Sequence, residues 1–111
     1  MIIRIIETPI TRAEAKEVAK EFYGDMVKGV ADIEREIIAL GGEWHMDANV
    51  KLIERGSKQN TIWGFNFYPD KDRIEYTSLI NIRPAQQNRK IEIQDKELKR
   101  KIEQVIRKLI L

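Results

Sequence analysis

Between Trp44 and Arg83 the sequence alternates apolar and polar residues, and this alternation constrains the fold more than any other feature. Successive side chains of a strand point to opposite faces of a sheet, so a period of two indicates a sheet with one apolar and one polar face. We predict strands at 44–52, 62–68 and 74–83, paired as an antiparallel meander. The polar face collects His45, Asp47, Asn49, Asn66, Tyr68, Asn81 and Arg83. Function is therefore expected on this face.

The rest of the chain predicts one more strand and three helices. An Ile-rich run at 2–6 is typical of a strand, and Thr11 with Glu14 has the spacing of a capping box at the start of a first helix. Apolar residues at helical spacing predict a second helix over 25–40, and Asp95 is placed to cap the last helix. The predicted fold is α+β, in the order β-α-α-β-β-β-α, with an antiparallel sheet packed on helices in two main layers.

Composition predicts one soluble domain over residues 1–111. Hydrophobic residues make up 42% and charged residues 34%, and the abundance of Ile, Lys and Glu is typical of heat-adapted proteins. The absence of cysteine excludes disulfides and thiolate nucleophiles. No run approaches the ~18 apolar residues that span a membrane, so a cytoplasmic protein without a membrane partner is expected.

Three stretches of the chain resemble a family of short prokaryotic proteins that is catalogued only as a domain of unknown function. They are GGEWHMD at 41–47, WGFNFYP at 63–69 and NIRPAQQNR at 81–89. The likeness covers nearly the whole chain, although this family often has glycine where this chain has Gln87. The resemblance implies a self-standing domain, and it implies no chemistry.

The predicted ligand-binding residues combine amides, a phenol and guanidinium groups, which together recognise anions or planar polar ligands. They are Gly64, Asn66, Tyr68, Asn81, Arg83, Asn88 and Arg89. Gly64 has no side chain, so it leaves a dip in the sheet where another group can approach closely. The alternative is that these polar side chains satisfy loop carbonyls within the protein.

The same face is predicted to carry an aliphatic patch of Ile53, Ile62 and Leu79. A wholly solvated face does not need three aliphatic residues side by side, so part of it should be covered by a connection, by the last helix or by a second subunit. We therefore expect a homodimeric, non-enzymatic binding or interaction module, with an anionic small molecule as the ligand that its polar groups suit.

The rival hypothesis is a small enzyme that acts on a phosphorylated or anionic substrate. His45 and Asp47 are its candidate catalytic residues, because an Asp beside a His orients the imidazole as a general base, and Arg83 would hold the anion. A single histidine and no cysteine do not predict a zinc site, and no cofactor motif is present.

A third hypothesis is nucleic-acid binding. The last helix has an aliphatic stripe on one side and a basic face on the other. The basic face is formed by Lys96, Lys99, Arg100, Arg107 and Lys108. A net charge of +2 is too small to argue for this partner, and a solvated helix face explains the pattern equally. The aromatic run Trp63, Phe65 and Phe67 is predicted to lie in the core and not to stack on bases.

Overall fold

A computed structural model of residues 1–111 shows a five-stranded antiparallel sheet with helices on both faces. The strands are β1 (Ile3–Ile6), β2 (Val27–Asp32), β3 (Ile37–Gly41), β4 (Ile62–Tyr68) and β5 (Arg73–Glu75), in the spatial order β1-β3-β2-β4-β5. The helices are α1 (Arg12–Ala19), α2 (His45–Glu54) and α3 (Lys96–Leu109). The predicted α+β class and antiparallel sheet are confirmed. None of these helices combines the length and the apolar character that crossing a membrane requires.

The two faces of the sheet bury separate cores. One face packs against α1 and α3 with Val27, Ala31, Ile38, Leu40, Trp63, Phe65 and Phe67. The other face packs against Ala48 and Leu52 of α2 with Val30, Ile37, Ala39 and Ile62. Alternate residues of each strand supply the two sets, as the period of a strand requires. The predicted core position of the aromatic run is confirmed, but the molecule has three layers and not the predicted two.

The predicted second helix over 25–40 is wrong, because this segment forms the β2–β3 hairpin. Both strands are buried on both faces, so apolar residues occur nearly continuously and match helical spacing by chance. The carboxylate of Asp32 accepts hydrogen bonds from the backbone N–H groups of Glu34 and Arg35, and Glu36 has a φ of +55°. These contacts close the turn between the strands.

The predicted strand over 44–52 is also wrong, because residues 45–54 form α2. The buried residues of α2 are His45, Ala48, Asn49 and Leu52, which lie on one side of a helix. Two of these four residues are polar, so the spacing of apolar residues alone does not identify the buried side of α2. Asn49 is satisfied by a pair of hydrogen bonds to the amide of Gln59, at 2.7 and 2.8 Å.

The predicted strand over 74–83 is mostly irregular. Strand β5 ends at Glu75, and single turns of 3₁₀-helix follow at 79–81 and 84–86. A turn at 69–72 joins β4 to β5. The capping box of Thr11 with Glu14 and the cap of α3 by Asp95 are confirmed.

Candidate functional site

A groove of about 520 Å³ lies between the first turn of α2, strands β2 and β4, and the segment that follows β5. Its apolar lining consists of Trp44, Met46, Leu79, Ile80 and Ile91. Its polar lining consists of Lys28, His45, Asn66, Thr77 and Ser78. This size and this mixture, apolar walls with a few hydrogen-bonding groups, are typical of sites for small organic ligands.

The pairing of the strands positions two of the polar groups. Lys28 of β2 lies opposite Asn66 of β4, and both side chains point to the face that α2 covers. The ammonium of Lys28 lies 5.1 Å from the ring centroid of Tyr23 and 5.1 Å from that of Trp44. These cation–π contacts hold the ammonium at the end of the groove where Trp44 lies.

The imidazole of His45 is 8% exposed and lies between α2 and the sheet. Its Nε2 lies 2.9 Å from the carbonyl oxygen of Phe65 and 2.9 Å from the Oδ1 of Asn66. Both oxygens are acceptors, so Nε2 carries the proton and donates to them. The Nδ1 is then an acceptor, and it forms no hydrogen bond within the protein.

The environment keeps this imidazole neutral. Burial, with a smaller effect of the positive charge of Lys28, lowers the pKa of His45 to about 4, and the hydrogen bonds to Phe65 and Asn66 oppose this shift. At neutral pH the side chain therefore offers an uncharged acceptor. A group with this pKa is a poor general base.

Asn66 connects the groove to the edge of the sheet. Its amide nitrogen lies 3.2 Å from the hydroxyl of Thr77 and 3.4 Å from the carboxylate of Glu75. Glu75 also accepts a hydrogen bond of 2.8 Å from the hydroxyl of Tyr68 and pairs with Arg73 at 3.2 Å. Tyr68 therefore lies next to the groove lining without belonging to it.

Gly64 is covered by the chain itself. A Cβ atom at this position would lie 2.5 Å from the Cβ of Ser78 and 3.2 Å from Ile80. The amide of Asn81 accepts from the Gly64 N–H at 2.8 Å and donates to its carbonyl at 3.0 Å. The group that approaches the dip is the segment 78–81, and residues 77–80 form one wall of the groove.

Arg83 and Asn88 bond to backbone carbonyls. The guanidinium of Arg83 donates to the carbonyls of Ile80, Gln59 and Ile62 and lies 4.0 Å from the ring centroid of Trp63. Burial lowers its pKa to about 10. The amide of Asn88 donates to the carbonyls of Asn81, Lys90 and Glu92. These hydrogen bonds to loop carbonyls are the alternative to ligand binding that the sequence left open.

The three residues of the predicted catalytic set do not converge. Asp47 accepts from the backbone N–H groups of Glu43 and Trp44 ahead of α2, at 3.0 and 2.9 Å, and forms no hydrogen bond with His45. Residues two apart on a helix point in different directions. Neither Asp47 nor Arg83 lines the groove that contains His45. Arg89 is exposed, and its backbone N–H bonds to Gln94.

The aliphatic patch predicted from the sequence is not one surface. Ile62 is buried beneath α2, whereas Leu79 is 75% exposed at the groove. Ile53 is exposed on α2, in line with Met46 and Val50. The prediction failed because it placed residues 44–52 in the sheet. The expectation that part of this face is covered does hold, but the element that covers Ile62 is α2, which was not among the expected ones.

Most basic residues of α3 are paired with acidic ones. Lys99 pairs with Glu92, Arg100 with Glu97, Arg107 with Asp72 and Lys108 with Glu36. Elsewhere in the molecule, no three side chains of His, Asp or Glu come together in a way that would hold a metal ion.

Two predicted site residues, His45 and Asn66, line the groove, as does Leu79 of the predicted aliphatic patch, and the other lining residues were not predicted. Lys28 was not among the predicted site residues, because residues 25–40 matched the pattern of a helix. Its signal is a single charge inside the otherwise apolar run 26–31. Trp44 and Met46 were assigned to the core face of a strand, although Trp44 is 59% exposed.

The fold and the groove define a small α+β protein with a ligand-sized site and no recognised catalytic constellation. The chain belongs to a family described as a protein of unknown function (DUF5674), whose sequence model matches residues 4–109. No curated protein and no solved structure matches it significantly.

Proposed function

We propose that this protein is a binding module whose groove takes a small organic ligand with an apolar body and a hydrogen-bonding group. The observation that carries the proposal is His45, which lines an apolar groove with one nitrogen bonded to the sheet and the other without a partner in the protein. The Oδ2 of Asp32 is the only fully buried side-chain nitrogen or oxygen atom without a partner, so the Nδ1 of His45 is open to the groove. A donor group of the ligand would complete the hydrogen bonding of this side chain.

The apolar side chains on the walls of the groove favour a ligand with an apolar body. Leu79, Ile91, Met46 and Trp44 are large apolar side chains that remain exposed at the groove. Exposed apolar patches with a polar rim are typical of binding sites in proteins. Burying them against a ligand gains about 25 cal/mol for each Å² removed from water.

Binding is favoured over catalysis for this site. A general base works best when its pKa is near the working pH, and the pKa of His45 is about 4. No carboxylate bonds to its imidazole. The side chain is therefore suited to accepting a hydrogen bond and not to moving a proton.

The test uses Nile red, a neutral apolar fluorophore. We expect its fluorescence to rise on binding and the backbone amide NMR signals of 44–46 and 77–80 to shift. Leu79→Gln should weaken binding, because Leu79 is 75% exposed on the groove wall. Leu111→Gln is the matched control, since Leu111 is 68% exposed and lies outside the groove. Equal effects of the two substitutions, or no binding at all, would overturn the proposal.

A second candidate is self-association through α2. Met46, Val50 and Ile53 follow one another at helical spacing and are exposed, so they form an apolar stripe on the outer side of this helix. Two copies related by a two-fold axis would bury both stripes against each other. Light scattering should then show a dimer that Val50→Lys dissociates and Leu111→Lys does not. A monomer at all concentrations would rule this candidate out.

A further inference from the structure

We propose that the ligand of this groove is an amphipathic anion, a molecule with an apolar body and a negatively charged head that Lys28 binds. The inference rests on the proposed function and specifies the class of ligand. It is carried by the charge distribution of the groove and by the position of Lys28 within it.

Lys28 is the only charged residue among the groove lining, because His45 is neutral. Its ammonium forms no ion pair, whereas eleven other pairs occur on the molecule. The other two partly buried lysines, Lys16 and Lys99, each pair with a carboxylate. The two aromatic rings beside Lys28 attract the ammonium and fix its place, but they leave its charge uncompensated.

Two carboxylates near the groove, those of Glu75 and Asp47, already have partners within the protein. Glu75 accepts from Tyr68 and pairs with Arg73. Asp47 accepts from two backbone N–H groups ahead of α2. No carboxylate of the protein pairs with the Lys28 ammonium, and an anionic ligand would supply this partner.

The start of α2 lies at the same end of the groove, where the carboxylate of Asp47 offsets part of the positive end of the helix dipole. Its cap residue is Trp44, which has no side-chain acceptor, and the backbone N–H groups of His45 and Met46 have no acceptor in the protein. The N-terminal end of a helix favours negative charge. The lone pair on the Nδ1 of His45 repels an anion, so the charged head should lie at the Lys28 end and a donor group of the ligand at His45.

The test compares three ligands that share a ten-carbon chain and differ in the charge of the head. They are decanoate, decanol and decyltrimethylammonium, titrated below the concentrations at which they form micelles. We expect decanoate to bind about tenfold more tightly than decanol, as a charged hydrogen bond gives, and the cation to bind most weakly. High salt should reduce the difference.

Variants of Lys28 make the test specific. Lys28→Gln should bring the affinity for decanoate down to that for decanol, and Lys28→Arg, which keeps the charge, should preserve the preference. Lys71→Gln is the matched control, because Lys71 is exposed in the β4–β5 turn and forms no ion pair. Equal binding of the three ligands, or a preference that survives in Lys28→Gln, would overturn the inference and leave the apolar groove standing. If none of the three bound, the groove proposal would fail as well.

Discussion

The Nε2 of His45 lies 2.9 Å from the Oδ1 of Asn66, and this contact joins the first turn of α2 to strand β4. The two residues are 21 positions apart in the sequence. The contact fixes the tautomer of the imidazole, because the Oδ1 of Asn66 can only accept a hydrogen bond and Nε2 must therefore carry the proton. It also makes the stability of the α2 layer depend on the charge of a single histidine.

We predict that acid destabilises the protein through this histidine. The pKa of His45 is about 4 in the folded protein, against 6.5 for an unperturbed imidazole. Between these values the unfolded chain binds a proton that the folded chain does not, so the free energy of unfolding falls as the pH drops from 6.5 to 4. At ~1.36 kcal/mol for each pH unit, the loss approaches about 3 kcal/mol. Urea unfolding across this range measures it.

The control for this prediction is His45→Gln, which keeps a donor for Phe65 and does not titrate. Its unfolding free energy should vary less with pH over the same range than that of the native protein. Because the chain contains one histidine, an NMR titration of its ring protons reports on His45 alone. A folded-state pKa near 6.5 would contradict both the buried neutral imidazole and the predicted loss.

Signals that depend on neighbouring residues predicted their elements correctly. The capping box of Thr11 with Glu14 and the cap at Asp95 mark where α1 and α3 begin, because a cap is a contact between residues two or three positions apart. The alternation in β4 also predicted its buried aromatic face. Such patterns need no knowledge of distant contacts.

The errors arose where distant contacts decide the structure. Strands β2 and β3 are covered on both faces, which removes the period of two that identifies a strand. In α2 the buried side includes His45 and Asn49, whose partners lie 20 and 10 positions away. When the partner of a polar residue is distant in the sequence, the local pattern predicts that the residue is exposed. The buried polar residues of α2 therefore matched the exposed face of a strand.

The groove was predictable only in part for the same reason. Asn66 was predicted as a site residue because it lies on a correctly predicted strand. His45 was predicted because its imidazole is a candidate general base. Leu79 and Ile91 come from irregular segments that fold over the sheet, where no periodicity operates. Arg83 was predicted to lie on a strand, but it lies between two 3₁₀ turns, and its three carbonyl partners depend on that loop conformation.

Arg83→Lys should destabilise the protein by about 2 to 3 kcal/mol. The guanidinium donates to three carbonyls at once and stacks on Trp63, and an ammonium cannot reproduce this planar arrangement. Arg89→Lys is the matched control, because Arg89 is exposed and its side chain forms no hydrogen bond. Chemical unfolding of both variants gives the comparison, and a small effect at both positions would contradict the structural role of Arg83.

Gly64→Ala should cost about 1 to 3 kcal/mol of stability, because the added Cβ would lie 2.5 Å from the Cβ of Ser78. Ser78→Gly removes the atoms in closest conflict. The alanine should therefore be less costly in the Ser78→Gly background than in the native protein, and a double-mutant cycle measures this coupling. Strictly additive effects would show that the segment 78–81 does not pack on Gly64. Because Ser78 lines the groove, Gly64→Ala should also weaken the binding of Nile red.

Gln87→Gly should stabilise the protein by up to about 1 kcal/mol. Gln87 has a φ of +59°, a left-handed conformation that costs an ordinary residue about 1 to 2 kcal/mol and costs glycine nearly nothing. The gain is reduced because glycine makes the unfolded chain more flexible. The side chain of Gln87 is exposed and forms no hydrogen bond, so little is lost with it. The control is Gln104→Gly on the exposed side of α3, where the same change should destabilise by about 1 kcal/mol. Thermal and urea unfolding should show opposite signs for the two variants, and a destabilised Gln87→Gly would contradict the left-handed turn at this position.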